Sequence, residues 1–193
     1  MIAGILLAAG SSTRFGHDKR LHALGDGTPM ALAALQPLLT VLDQVVVVVR
    51  PQDGALATRF AAAGARVTEA PGWRAGMGAS LARGIGALEA GTTGCVVALA
   101  DMPYVRANSI RRVVSCLEDG ASLVAPTYRG SRGHPVGFAA DWFDTLGRLH
   151  GDHGARDLLA IHRERLHLVE VDDAGVLVDV DYPEDVFRGT LHG

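Results

Sequence analysis

A run of small residues, Leu7-Ala8-Ala9-Gly10-Ser11-Ser12, leads toward Arg14 and Lys19. Small side chains let backbone N–H groups approach phosphate oxygens, and Arg14 and Lys19 add positive charge. The loop is not a P-loop, since G-x-x-x-x-G-K-[ST] is absent, nor is it the dinucleotide G-x-G-x-x-G. Lys19 is the only lysine among 18 basic residues; the rest are arginine. That isolation is either chance in an arginine-rich chain or the mark of a site needing a compact ammonium on a flexible stem, which a planar guanidinium does not mimic.

Asp101, in Ala98-Leu99-Ala100-Asp101-Met102-Pro103, is a second candidate. A carboxylate directly after a buried strand sits at the ligand-binding rim of a parallel sheet. One Asp plus substrate phosphates is a usual way to hold Mg2+. The competing reading is a helix cap, which Met102-Pro103 disfavours by signalling a turn. Asp179 and Asp181 are two apart in an extended segment and so point the same way. One of them could complete a metal site with Asp101, or both could belong to a charged strand edge. Gly76-Met77-Gly78-Ala79-Ser80-Leu81 opens a helix whose N-terminus either faces a ligand or forms a plain glycine turn. Two more glycine-flanked loops follow, Arg132-Gly133-His134-Pro135-Val136-Gly137-Phe138 and Gly151-Asp152-His153-Gly154-Ala155-Arg156. His150 with His153, or His162 with His167, lacks H-E-x-x-H spacing and any nearby cysteine, so a zinc site is not expected. No G-x-S-x-G occurs, and neither Cys95 nor Cys116 lies in a polar loop, so no nucleophile stands out.

Short apolar strands must position these residues. Ile2–Leu7 and Cys95–Ala100 read as buried strands, and the five valines within Gln44–Val49 predict a strand covered on both faces. Further strands are expected at Arg66–Thr68, Ser122–Ala125, Gly137–Ala139 and Leu166–Val171, the last at an edge. Pro29–Leu39 reads as a helix capped by Thr28. Helices are also expected at Gly54–Ala63, Met77–Ala90, Asn108–Leu117, Trp142–Leu149, Ala155–Ile161 and Glu184–Phe187. Alternating strands and helices predict an α/β fold with a mostly parallel sheet. Loops after Leu7 and Ala100 then share its carboxyl rim.

The 193 residues are 48% hydrophobic and 20% charged, enough for a sizeable core, and no linker or repeat divides them. A net charge of −3 argues against nucleic-acid or anionic-membrane binding. No apolar run approaches membrane-spanning length. Ile2–Ala9 is apolar but has no basic residue before it, so a secretory signal is not expected. Two cysteines without a framework fit a reducing cytoplasm.

Together these segments resemble the MobA-like nucleotidyltransferases. Leu7 through Lys19 matches the signature L-A-A-G-x-S-x-R-x-G-x-x-K at every specified position, and Asp101-Met102-Pro103 matches D-M-P. The segments at Gly76–Leu81, Arg132–Phe138, Gly151–Arg156 and Asp179–Asp185 resemble the molybdenum cofactor cytidylyltransferase branch. Two departures are Arg20, where leucine commonly follows the lysine, and Tyr182, where threonine is usual. The resemblance implies one three-layer α/β/α domain over residues 1–193, with a Rossmann-like nucleotidyltransferase fold. It implies transfer of CMP from CTP to the phosphate of molybdopterin, giving molybdopterin cytosine dinucleotide and pyrophosphate. Mg2+ would be held by Asp101 with Asp181. The nucleotide would be bound by Leu7, Ala8, Ala9, Gly10, Ser11, Ser12, Arg14 and Lys19, with Gly78 and Ser80 near the base. Arg132, His134 and Arg156 would face the pterin acceptor. Lys19, Arg14 and Asp101 would form the catalytic set, and a molybdenum enzyme would receive the product. The alternatives are another nucleotide such as GTP, another acceptor, or a member diverted to a redox or cofactor-carrier role.

Overall fold

Strand β1 (Ile2–Leu7) is buried from Ala3 onward, and its neighbours β2 (Val45–Val49) and β4 (Gly94–Leu99) are equally apolar. A computed structural model describes residues 1–10, 18–152, 154–182 and 185 of the chain. The other strands are β3 (Arg66–Glu69), β5 (Leu123–Tyr128), β6 (Ser131–Arg132), β7 (Val136–Ala139) and β8 (Leu166–Glu170). The helices are α1 (Met30–Val41), α2 (Gly54–Ala62), α3 (Met77–Ile85), α4 (Ala107–Glu118), α5 (Phe143–Leu146) and α6 (Arg156–Ile161). The sheet runs β3-β2-β1-β4-β7-β5-β6, with β8 paired to β5. β3, β2, β1 and β4 are mutually parallel, as are β5 and β8; β7 is antiparallel to β4 and β5.

Alternation along the strands builds three layers, because successive side chains point to opposite faces. Leu6, Val47, Val49 and Val96 pack with Leu35 and Leu38 of α1, Phe60 of α2 and Val113 of α4. Ile5, Leu7, Val48 and Val97 face the other way, onto Leu81 of α3, Leu146 of α5 and Leu158 of α6. The valine run is therefore covered on both faces, as its composition predicts. From β1 the chain reaches β2 on one side and later β4 on the other. That reversal opens a crevice at the carboxyl ends of β1 and β4. No helix among the described residues is long and apolar enough to cross a membrane.

Several expected boundaries shift for local reasons. Thr28 does not cap α1: Pro29 takes the cap position at φ −58°, ψ 135°, while the Thr28 carbonyl accepts from Leu24. The helix expected to reach Ala90 stops at Ile85, where Gly84 packs on Ile5 and Gly86 closes the turn. Trp142–Leu149 is not one helix; a 3-10 turn over Ala140–Trp142 precedes α5, and the Gly147 N–H ends it on the Phe143 carbonyl. β5 runs on to Tyr128 because β6, unforeseen, and β8 both pair with it. Of the expected Glu184–Phe187 helix only Asp185 is among the described residues.

Candidate active site

After β1 the chain passes Ala8, Ala9 and Gly10 at the sheet rim, and a 3-10 turn over Lys19–Leu21 returns beside it. Lys19 is directed toward Asp101, just beyond β4. Its Nζ donates to Asp101 Oδ2 at 2.9 Å, Asp181 Oδ1 at 2.9 Å and the Val180 carbonyl at 3.0 Å. All three ammonium protons are thereby used. The Lys19 side chain is only 13% exposed. Burial alone would lower its pKa, but Asp101 and Asp181 outweigh that and hold the ammonium above its ordinary value.

Asp181 arrives on a segment that crosses the rim after β8. The Val180 N–H donates to the Asp101 carbonyl at 2.8 Å, and the His134 N–H donates to the Val176 carbonyl at 2.9 Å. Asp173 anchors this segment to the start of α4, accepting from the Arg106 N–H at 2.8 Å and the Ser109 hydroxyl at 2.6 Å. Asp173, not Asp101, thus ties down the start of α4, and Asp101 is left at the rim.

A cavity of about 570 Å³ opens here, lined by Leu7 through Gly10, Lys19, Ser80, Asp101 and Asp181. Trp73, Arg74 and Asp152 line it too, and no site role was read for them from the sequence. Arg74 stacks over the Trp73 ring at 4.7 Å, and Arg50 approaches it at 5.5 Å. Gly78 is differently employed. Its N–H donates to the Gly151 carbonyl at 2.9 Å, and a Cβ there would meet the His150 backbone at 2.8 Å. Gly76, at φ +102°, would clash with Gly151 likewise. These glycines seat α3 against the 150–152 loop. Ser11, Ser12 and Arg14 lie outside the described residues.

A second cavity of about 420 Å³ holds Arg132, His134 and Arg156 above an apolar floor that includes Val136, Phe138 and Leu159. It shares Leu7, Met77, Leu99 and Asp152 with the first. Burial lowers the His134 pKa and the Arg132 charge pushes the same way, against Asp101 and Asp179. His134 is therefore neutral at pH 7. Because its folded pKa lies below the unfolded value, its contribution to stability is present above about pH 6.5 and is lost as pH falls through the folded pKa. Melting temperatures of wild type and His134→Gln, compared from pH 7.5 to 5, should converge as pH falls. A constant gap would contradict a neutral half-buried imidazole. Cys95 is fully buried, which pushes its thiol pKa far up and removes it as a nucleophile.

The sequence matches the MobA-like NTP transferase domain over residues 4–168. The chain belongs to the MobA-like NTP transferase family. As a member of that family it is a nucleotidyltransferase. It is 29% identical to the purine catabolism protein PucB of Bacillus subtilis (strain 168), over 95% of this chain and 93% of that one. The crystal structure of Rv0371c from Mycobacterium tuberculosis H37Rv superposes with a TM-score of 0.86 at 30% identity, covering 97% and 96% of the two chains. A complex of Rv0371c with manganese gives 0.81 at 28% identity, with the same coverage. A nucleotidyl transferase from Methanothermobacter thermautotroptrophicus gives 0.81 at 25% identity, covering 97% and 95%. The rim of β1 and β4, where the described ends of the MobA-like signature, Leu7–Gly10 and Lys19, fall, is thus built on a shared architecture.

Proposed function

We propose that this nucleotidyltransferase moves CMP from CTP to the phosphate of molybdopterin, releasing pyrophosphate and forming molybdopterin cytosine dinucleotide. The observation that carries the reading is the wall common to the two cavities. A triphosphate held at Lys19 and an anionic acceptor held at Arg132, His134 and Arg156 would meet across Leu7, Met77, Leu99 and Asp152. The choice of CTP and of a pterin rests on the likeness of the Gly76–Leu81 and Arg132–Phe138 segments to the cytidylyl branch.

Asp101, Asp181 and the Val180 carbonyl turn three hard oxygens toward the point that Lys19 Nζ fills here; a divalent cation taking them would displace the ammonium and free it for the phosphates. That donor set suits Mg2+ or Mn2+, with phosphate oxygens and water completing the shell. That Rv0371c forms a complex with manganese supports use of a divalent cation. Asp101 and Asp181 would hold it, and when bound it neutralises charge on the phosphates.

The acceptor is a phosphate monoester, already anionic at pH 7, so no general base is needed. One of its oxygens bonds to the α-phosphorus of CTP while the bond to the β-phosphate oxygen breaks. The electron pair leaves on pyrophosphate. Lys19, Arg14 and the backbone N–H groups of Ala9–Ser12 would hold the triphosphate and balance the charge growing on the leaving group. Arg132 and Arg156 would orient the acceptor phosphate, turning a bimolecular encounter into a positioned one. Ser80 would border the base, with Gly78 supporting it from behind.

A thermal-shift screen of CTP, GTP, ATP and UTP, each with Mg2+ and with Mn2+, tests the nucleotide. A ligand at a hundred times its Kd stabilises the native state by about 2.7 kcal/mol, roughly 5–10 °C for a chain of this size. CTP should give the largest shift, and only with the cation present. A larger shift with GTP would move the assignment to guanylyl transfer. No shift with any of the four would contradict nucleotide binding.

A further inference from the structure

Arg20 follows Lys19 directly and is only 3% exposed. Its guanidinium has five N–H donors, and all five are spent on protein oxygens. Nε donates to Asp18 Oδ1 at 2.8 Å and Nη2 to Asp18 Oδ2 at 2.5 Å. Nη1 and Nη2 donate to the two Asp53 oxygens at 2.5 and 2.9 Å. The remaining Nη1 proton goes to the Ala8 carbonyl at 2.5 Å. Arg50 also pairs with both acids, at 2.8 Å to Asp53 and 3.1 Å to Asp18, so the two arginines and two aspartates balance in charge.

An apolar side chain of similar volume would fill this space without desolvating four charges, so stability alone does not account for the cluster. What the cluster does is geometric. It joins Ala8, where β1 ends, to Asp18, where the Lys19 turn begins, and to Asp53 at the start of α2. Otherwise the turn is closed by local bonds, Leu21 N–H to the Asp18 carbonyl and His22 N–H to the Lys19 carbonyl, both 3.1 Å. Arg20 borders the first cavity, yet it has no N–H left for a phosphate. Its role there is indirect.

We propose that Arg20 is a positioning residue for Lys19: its guanidinium clasps Ala8 to Asp18, which fixes the turn that presents the Lys19 ammonium to a bound polyphosphate. The proposal rests on the reading of the first cavity as a triphosphate site. Lysine at position 20 could not replace it, since three protons on one nitrogen cannot make the five bonds, two to each carboxylate and one to the Ala8 carbonyl, that the guanidinium makes.

The test is a double-mutant cycle on binding of tripolyphosphate with Mn2+, measured by calorimetry well below the melting temperature of each variant. Tripolyphosphate carries no base, so only the phosphate site is read. Lys19→Met should weaken binding roughly thirtyfold and Arg20→Met about tenfold. In the Lys19→Met background, Arg20→Met should change affinity by less than about twofold, because Arg20 acts through Lys19. Arg20→Lys should fail to rescue. If the two losses multiply, or if folded Arg20→Met binds like wild type while only its melting temperature falls, the clasp is merely structural and the proposal is overturned. Should Arg20→Met fail to fold, Asp18→Asn opens the same clasp from its more exposed side and carries the same prediction of non-additivity. A wild-type protein that binds no tripolyphosphate overturns the triphosphate reading itself, and this proposal with it. Wild-type binding with multiplying losses overturns the clasp alone.

Discussion

Lys19→Arg should lose nearly as much turnover as Lys19→Ala, roughly a hundredfold in kcat/KM with CTP. The reason is the shape of the acceptor set. Asp101 Oδ2, Asp181 Oδ1 and the Val180 carbonyl surround Nζ at 2.9–3.0 Å, an arrangement suited to a compact ammonium. A planar guanidinium neither fits that point nor offers the single compact charge that the phosphates would meet once a cation took the carboxylates. Loss of one preorganised charged contact in a transition state costs on the order of 3 kcal/mol, which is the hundredfold. Stability should also respond. The Lys19 pKa is raised in the fold, so its contribution is present below about pH 10.5 and is lost as pH rises through the folded pKa. At pH 7, Lys19→Ala should cost on the order of 1 kcal/mol in urea unfolding, discounted because both carboxylates are about a third exposed. Rates within a few-fold of wild type for both variants would remove Lys19 from catalysis.

Asp101→Asn should lower kcat at saturating Mg2+ by a hundredfold or more while the protein stays folded. Asparagine keeps the volume and one acceptor oxygen but removes the charge that a divalent cation requires. Were Asp101 a helix cap, asparagine would serve equally well. Its carboxylate instead faces Lys19, and α4 begins six residues beyond it, tied to Asp173. The melting temperature should shift little, because the Lys19 pair is partly exposed and Asp181 remains. Near-wild-type turnover by the purified variant would exclude Asp101 from the metal site.

Lys19 and Asp101 could be found in the sequence because each ends a run whose local chemistry is distinctive. Lys19 closes a small-residue loop, and Asp101 follows a fully apolar strand. The two-sided burial of β2 was legible for a similar reason, since five adjacent valines fit no one-faced strand. Arg132, His134 and Arg156 were singled out by likeness, but their meeting in one cavity depends on β6, β7 and the entry to α6 all reaching the same rim. Spacing alone does not encode that. Asp173 was missed because its partners, Arg106 and Ser109, are more than 60 residues away. Arg20 was visible only as a departure from leucine; its neighbours Ala8 and Asp53 come from other elements. The close seating of Gly76 and Gly78 on the 150–152 loop is likewise a property of packing, which composition does not reveal.

The central claim is nucleotidyl transfer between adjoining cavities. The most direct test follows the phosphorus of CTP, using molybdopterin as acceptor and two preparations labelled at the α- or the γ-phosphate. The account predicts that α-label moves into a pterin dinucleotide while γ-label appears in an equal amount of pyrophosphate. Both should depend on the divalent cation. γ-Label in the acceptor, or α-label released only as CMP, would contradict it.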